Sequence, residues 1–198
     1  MLNKTAIVTG STGGIGKAIC QSFHDEGINV IGVSHAPDET TAWKNYACDL
    51  VDVNTLENNF NKICEAHGAT ANILINNAGV YHAKAWTDLS VLEFEQAMSV
   101  NTTAPFILIR AWANKLIEQK QSGVCVNVSS VSAHLGSVDV SYAASKAGVN
   151  LVTKTMAKAL ATHDIRVNGI APGPIKTKMA DRIPLDRQEK YKENIPMQ

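Results

Sequence analysis

Thr9-Gly10-Ser11-Thr12-Gly13-Gly14-Ile15-Gly16 stands directly after a short apolar run, Thr5 to Thr9, and opens into a segment with helical periodicity, Ile15 to Glu26. A glycine-rich turn between strand and helix lets backbone N–H groups approach a pyrophosphate closely, and the helix N-terminus adds a partial positive charge. Strand, glycine loop and helix in that order, at the start of the chain, read as a dinucleotide-binding unit rather than a bare turn. Gly10, Thr12, Gly14, Ile15 and Gly16 are its candidate cofactor residues.

Outward from this loop the same alternation continues. Strands are expected at Asn29 to Val33, around Ala47, at Ile73 to Asn76, Val124 to Val128 and Ile165 to Ile170. Helices are expected at Val53 to Ala66, Leu92 to Gln119 with an interruption at Pro105, and Tyr142 to Thr162. Most strands are continuous apolar runs, as expected where helices cover both faces of a sheet. Parallel strands need crossovers, which are nearly always right-handed. An α/β fold follows, a Rossmann-type doubly wound parallel sheet in three layers, with ligands at the carboxyl ends of its strands. The 198 residues show no internal repeat and fit a single domain spanning 1–198.

Composition narrows the function classes. Eighteen basic residues balance eighteen acidic ones, which leaves no electrostatic footprint for nucleic acid or an anionic membrane. Cys20, Cys48, Cys64 and Cys125 are scattered singly, with no CxxC pair and no histidine at ligand spacing, so free thiols and no metal site are expected. No signal peptide and no bilayer-length apolar stretch is evident, and a cytoplasmic protein is expected.

Tyr142 and Lys146 stand four apart on a predicted helix, so both side chains project from one face. A phenol with a pKa of about 10 is a poor base at neutrality, and lowering it by about three units takes roughly 4 kcal/mol of anion stabilisation. A cation at about 4 Å, in an effective dielectric of about 20, supplies roughly that much. Asn101 falls inside a predicted helix, where asparagine has poor propensity and competes for backbone groups, so something should compensate for it. Pro172-Gly173-Pro174 fixes a rigid turn after the last strand.

The glycine spacing is GxxxGxG, and with it the chain resembles the short-chain dehydrogenase/reductase family. The resemblance continues through Cys48-Asp49-Leu50, Asn76-Asn77-Ala78-Gly79, Asn101, Ser129-Ser130, Tyr142-Ala143-Ala144-Ser145-Lys146 and Pro172-Gly173-Pro174-Ile175-Lys176-Thr177, in order and at matching separations. It implies an oxidoreductase that interconverts a carbonyl and a secondary alcohol by hydride transfer, of the 3-oxoacyl thioester reductase kind. Tyr142 would exchange the proton with the substrate oxygen, Lys146 would lower its pKa and hold the nicotinamide ribose, and Asn101 would help hold a relay water. Ser130 would bond the substrate oxygen. The family spacing counts to Ser129 instead, whereas the following Val131-Ser132-Ala133 selects Ser130 and a one-residue deletion between Ser137 and Ser141.

The resemblance also assigns Asp49 and Leu50 to the adenine, Asn77, Ala78 and Gly79 to the adenosine side, and Pro172, Gly173, Ile175 and Thr177 to the nicotinamide carboxamide. At the end of the second strand Ser34 and His35 offer no carboxylate to repel a 2′-phosphate, and the reading leans to NADP(H) over NAD(H). Tyr81, His82, Ala133 and His134 are candidates to line the substrate pocket, with residues 178–198 a partial substrate loop. Family members continue into a further strand, so the chain is expected to be C-terminally truncated, to lack that last strand and to leave its sixth as an open edge. A homodimer or homotetramer through the helices after Ala104 and Tyr142 is expected, with a small-molecule substrate. The rival reading is a non-catalytic NAD(P)-binding sensor or scaffold.

Overall fold

Apolar runs too short for helices, most of them followed by a helix, assemble into one sheet in the computed structural model, which describes residues 4–68, 70–193 and 195. The strands are β1 (Thr5–Thr9), β2 (Asn29–Ser34), β3 (Lys44–Ala47), β4 (Ile73–Asn76), β5 (Gly123–Val128) and β6 (Ile165–Ile170). They lie in the order β3-β2-β1-β4-β5-β6 and every neighbouring pair is parallel. Because the order reverses between β1 and β4, the connections leave these two strands in opposite directions and open a crevice at their carboxyl ends.

The helices are α1 (Gly14–Asp25), α2 (Val53–His67), α3 (Val91–Met98), α4 (Ala104–Glu118), α5 (Ser132–Leu135), α6 (Val140–Leu160) and α7 (Leu185–Glu193). Alternate strand residues feed two separate cores. Ile7, Ile31, Leu74 and Cys125 join Leu56 and Phe60 of α2 and Leu108, Trp112 and Leu116 of α4. On the other face Val8, Val30, Ile75 and Val128 join Cys20 of α1 and Trp43, with half-buried Ile19 and Phe23 of α1 packed against them. Each large side chain buried contributes roughly 1.5–3 kcal/mol, so the α2 and α4 side anchors the sheet.

One expectation needs correcting. The single helix expected over Leu92 to Gln119 is α3 and α4 joined by a π-helical turn, Ser99–Thr103, and Pro105, which has no N–H to add to the helical ladder, lies in the first turn of α4 directly after it. No helix is expected between β2 and β3, and the structure has none there. Residues 35–43 make that connection without one, and the buried Trp43 covers the sheet instead. β6 is an outer strand of the sheet, with Ile170 half exposed.

Candidate active site

The glycine loop is shaped by atoms it lacks. Gly10 has φ +65°, a left-handed conformation that favours glycine, and a Cβ there would stand 2.9 Å from both Ala78 Cα and Asn77 Nδ2. A Cβ on Gly16 would collide with the Gly10 carbonyl oxygen, and one on Gly14 would come within 2.7 Å of Thr177 Cγ2. Gly13 gives α1 no side-chain cap, so the first-turn N–H groups are left to another acceptor. Thr12 and Ile15 flank this turn half-buried.

Neighbouring strands brace the loop. The Gly10 N–H donates to Val33 O at 2.8 Å. Asn77 Nδ2 donates to Thr9 O at 2.9 Å and to Gly10 O at 3.3 Å, while the N–H groups of Asn77 and Ala78 both donate to Thr9 Oγ1 at 3.1 Å. Asn77 therefore spends its side chain on the loop itself. At the end of β2 the buried Ser34 hydroxyl has no hydrogen-bond partner among the described residues, and His35 is exposed. Asp49 is exposed and accepts from Val51 N–H at 2.8 Å, closing its own turn beside the buried Leu50.

After β6, Pro172 O accepts from Val131 N–H at 3.1 Å, which ties this turn to the end of β5. Thr177 reaches the start of α1, whereas Gly173 stands in open space and Ile175 is exposed. Open N–H groups, a cradle that a Cβ would fill and an unpartnered hydroxyl at the β2 end fit a dinucleotide laid across the carboxyl edge.

A second cluster gathers on α6. Lys146 is buried, and Nζ donates to Val128 O at 2.7 Å and stands 5.7 Å from the centre of the Tyr142 ring. Burial without an anionic partner pushes its pKa from 10.5 down to about 8. Gly79 runs so close that a Cβ there would lie 3.3 Å from both Lys146 Nζ and Asn101 Oδ1.

Asn101, inside the π-helical turn, is also buried. Its Nδ2 donates to Val80 O and to Ser145 Oγ, each at 2.9 Å, and its Oδ1 accepts from Val80 N–H at 2.8 Å. This bonding is the compensation that its poor helix propensity demanded, and such single π turns recur at functional sites.

The paired serines separate cleanly. Ser129 Oγ donates to Lys146 O at 3.0 Å and so braces α6. Ser130 faces the Tyr142 phenol, and its hydroxyl also accepts from Ser132 N–H at 3.1 Å. The lowered phenol expected at Tyr142 is not what the protein shows. Burial drives its pKa above 10, the hydrogen bond from Ser130 opposes that rise, and the nearby Asp139 charge adds to it.

Asp139 escaped the sequence reading. It is fully buried and accepts hydrogen bonds from His82, Ala83, Ser141 and Tyr142. An aspartate three residues before Tyr142 is a helix N-cap signal, but its second set of partners is far away in sequence. Tyr81, a candidate pocket residue, stands edge-on to Tyr142 with ring centres 5.0 Å apart, and Arg182 donates to its carbonyl at 3.0 Å.

Residues 4–188 match the model of the family described as short chain dehydrogenase. The chain is 35% identical to the 3-oxoacyl-[acyl-carrier-protein] reductase of Aquifex aeolicus, over 98% of this chain and 83% of that one. It is 33% identical to glucose 1-dehydrogenase 2 of Bacillus subtilis, over 100% and 82% respectively. Among solved structures it is similar to 4-hydroxyisoleucine dehydrogenase complexed with NADH, with a TM-score of 0.83, 32% identity and coverage of 89% and 78%. An Agrobacterium tumefaciens protein described as a 2-deoxy-D-gluconate 3-dehydrogenase, with bound NADP, gives a TM-score of 0.87 at 31% identity, covering 98% and 81%.

Proposed function

The chain belongs to the short-chain dehydrogenase family and is an NAD(P)-dependent oxidoreductase, and we propose that it reduces the keto group of a 3-oxoacyl thioester, with Tyr142 as the proton donor. The observation that carries this reading is the cluster of half-buried Tyr142 with buried Lys146, Ser130 and Asn101 beside the glycine cradle. When bound, the nicotinamide dinucleotide supplies the hydride.

The chain's own residues do the rest. The first turn of α1, with Gly10, Gly14 and Gly16, holds the pyrophosphate, Ser34 and His35 receive the adenosine ribose, and Thr177 beside Ile175 orients the carboxamide. Ser130 donates a hydrogen bond to the substrate oxygen. The Tyr142 phenol, kept protonated by its burial, gives that oxygen its proton. Lys146, with its ammonium 5.7 Å from the ring centre, favours the phenolate left behind, and Asn101 fixes the loop at Val80 against α6.

Without a carboxylate at Ser34 or His35 we read NADP(H) as the preferred cofactor. Exposed Phe106 on α4 and Leu151 on α6 support a homodimer or homotetramer through these helices. Four free cysteines support a cytoplasmic site of action.

Fluorescence titration with NADPH and NADH separately, followed by reduction of acetoacetyl-coenzyme A and a panel of simple ketones, tests the reading. Tighter NADPH binding with turnover of the thioester is expected. Turnover of sugars or amino-acid ketones alone would overturn the substrate, and binding without any turnover would overturn the chemistry.

A further inference from the structure

Asp139 lies outside the cluster assigned above, yet its two oxygens divide between two parts of the chain. Oδ2 accepts from His82 N–H at 2.9 Å and Ala83 N–H at 3.1 Å, in the loop after β4. Oδ1 accepts from Ser141 Oγ at 2.6 Å and Tyr142 N–H at 3.1 Å, in the first turn of α6. A fully buried carboxylate persists only when its lone pairs are filled in this way, and such charge-assisted bonds are the strong ones.

The loop it grips is strained. Ala83 has φ +61°, a region that a residue with a Cβ rarely adopts, and strain of this kind persists where the surroundings over-determine it. Just upstream Asn101 clamps Val80 through both its N–H and its carbonyl, and Arg182 holds the carbonyl of Tyr81. Tyr81 is therefore fixed from both sides and from above, with its ring edge on Tyr142.

We propose that Asp139 is a positioning residue for Tyr142, clasping the His82–Ala83 backbone to the start of α6 so that the Tyr81 ring holds the phenol on the reacting oxygen. This rests on Tyr142 being the proton donor. The same carboxylate opposes ionisation of the phenol and so helps hold it in its proton-donor form. The charged and titratable groups facing that phenol are Lys146 from α6, Tyr81 from the loop after β4 and Asp139 itself, with Ser130 donating from the end of β5.

The test compares Tyr142→Phe, Asp139→Ser, Tyr81→Ala and Tyr81→Phe. Serine can still cap α6 but has neither the charge nor the reach to the loop. In the cofactor-free protein, titration of near-ultraviolet phenolate absorbance identifies Tyr142 as the signal missing from Tyr142→Phe. Asp139→Ser is expected to lower that midpoint by about half a pH unit or more, the direction set by removing a nearby negative charge. It should also lose about tenfold or more in kcat for acetoacetyl-coenzyme A reduction, with NADPH affinity within about threefold of wild type.

Tyr81→Ala should lose kcat similarly and Tyr81→Phe should restore it. An unchanged midpoint and kcat in Asp139→Ser, while Tyr142→Phe is inactive, overturns the positioning role alone. Full turnover by Tyr142→Phe overturns the parent reading, and this one with it. If Asp139→Ser fails to fold, the Tyr81 pair decides, and wild-type kcat in Tyr81→Ala overturns the proposal.

Discussion

At the end of β1 the chain makes a site by leaving side chains out, and on α6 it makes one by burying groups that water would otherwise hold. The glycine cradle contains no charge of its own. Its shape depends on where Cβ atoms would collide, with Ala78, with Gly10 O and with Thr177, so the physics there is steric and backbone-directed. The α6 cluster is the reverse. Lys146 and Tyr142 are both displaced from their ordinary pKa values chiefly by desolvation, and hydrogen bonds from distant loops set their geometry. Damage to the cradle should therefore appear in cofactor affinity, and damage to the cluster in turnover and pH dependence.

The sharpest test of that division is Lys146→Met, expected to reduce kcat about a thousandfold while leaving the cradle's backbone in place. Unfolding returns Lys146 to its ordinary pKa, so between about 8 and 10.5 the unfolded chain binds more protons than the folded one. This group's contribution to stability therefore rises with pH across that window and is lost below it. Thermal melts at either end of the window should show the rise in the wild type and a flatter response in Lys146→Met. A steeper response would break the account of that lysine.

Ser130→Ala should cost about a hundredfold in kcat, the usual loss for one donor to a reacting oxygen. Ser129→Ala, which loses only a bond to the α6 backbone, should stay within about threefold and show its effect in melting temperature. Equal losses in kcat would erase the distinction between them. On the cradle side, Gly16→Ala forces the Gly10 carbonyl aside and should weaken cofactor binding about tenfold to a hundredfold. At saturating cofactor its kcat should remain near wild type. The smallest effect is expected at the β2 end, where His35→Asp should lower NADPH affinity about tenfold and spare NADH, as a carboxylate there repels a 2′-phosphate.

The two regions also differ in how far the sequence discloses them. β1, β4 and β6 have the bounds that their apolar runs predict, and the glycine loop is local, so spacing alone describes it. The cluster is not local. Whether Ser129 or Ser130 faces the phenol depends on how the chain turns after β5, and a count from Tyr142 lands on Ser129, whose hydroxyl bonds the α6 backbone instead. The π-helical turn at Asn101 is invisible in helical periodicity because it changes the period for a single turn. Asp139 reads as an ordinary N-cap, since nothing near it in sequence announces His82 and Ala83 as partners. Four-residue spacing reveals a neighbouring cation at Tyr142 but not the water removed from the phenol, which raises its pKa in the cofactor-free protein.

The central claim is that one half-buried phenol moves the proton while the cradle only holds the dinucleotide. Tyr142→Phe measured side by side for NADPH affinity and acetoacetyl-coenzyme A reduction addresses it most directly. Affinity within about threefold of wild type, with kcat reduced about a thousandfold, is the predicted result. Undiminished turnover in that variant would contradict the account.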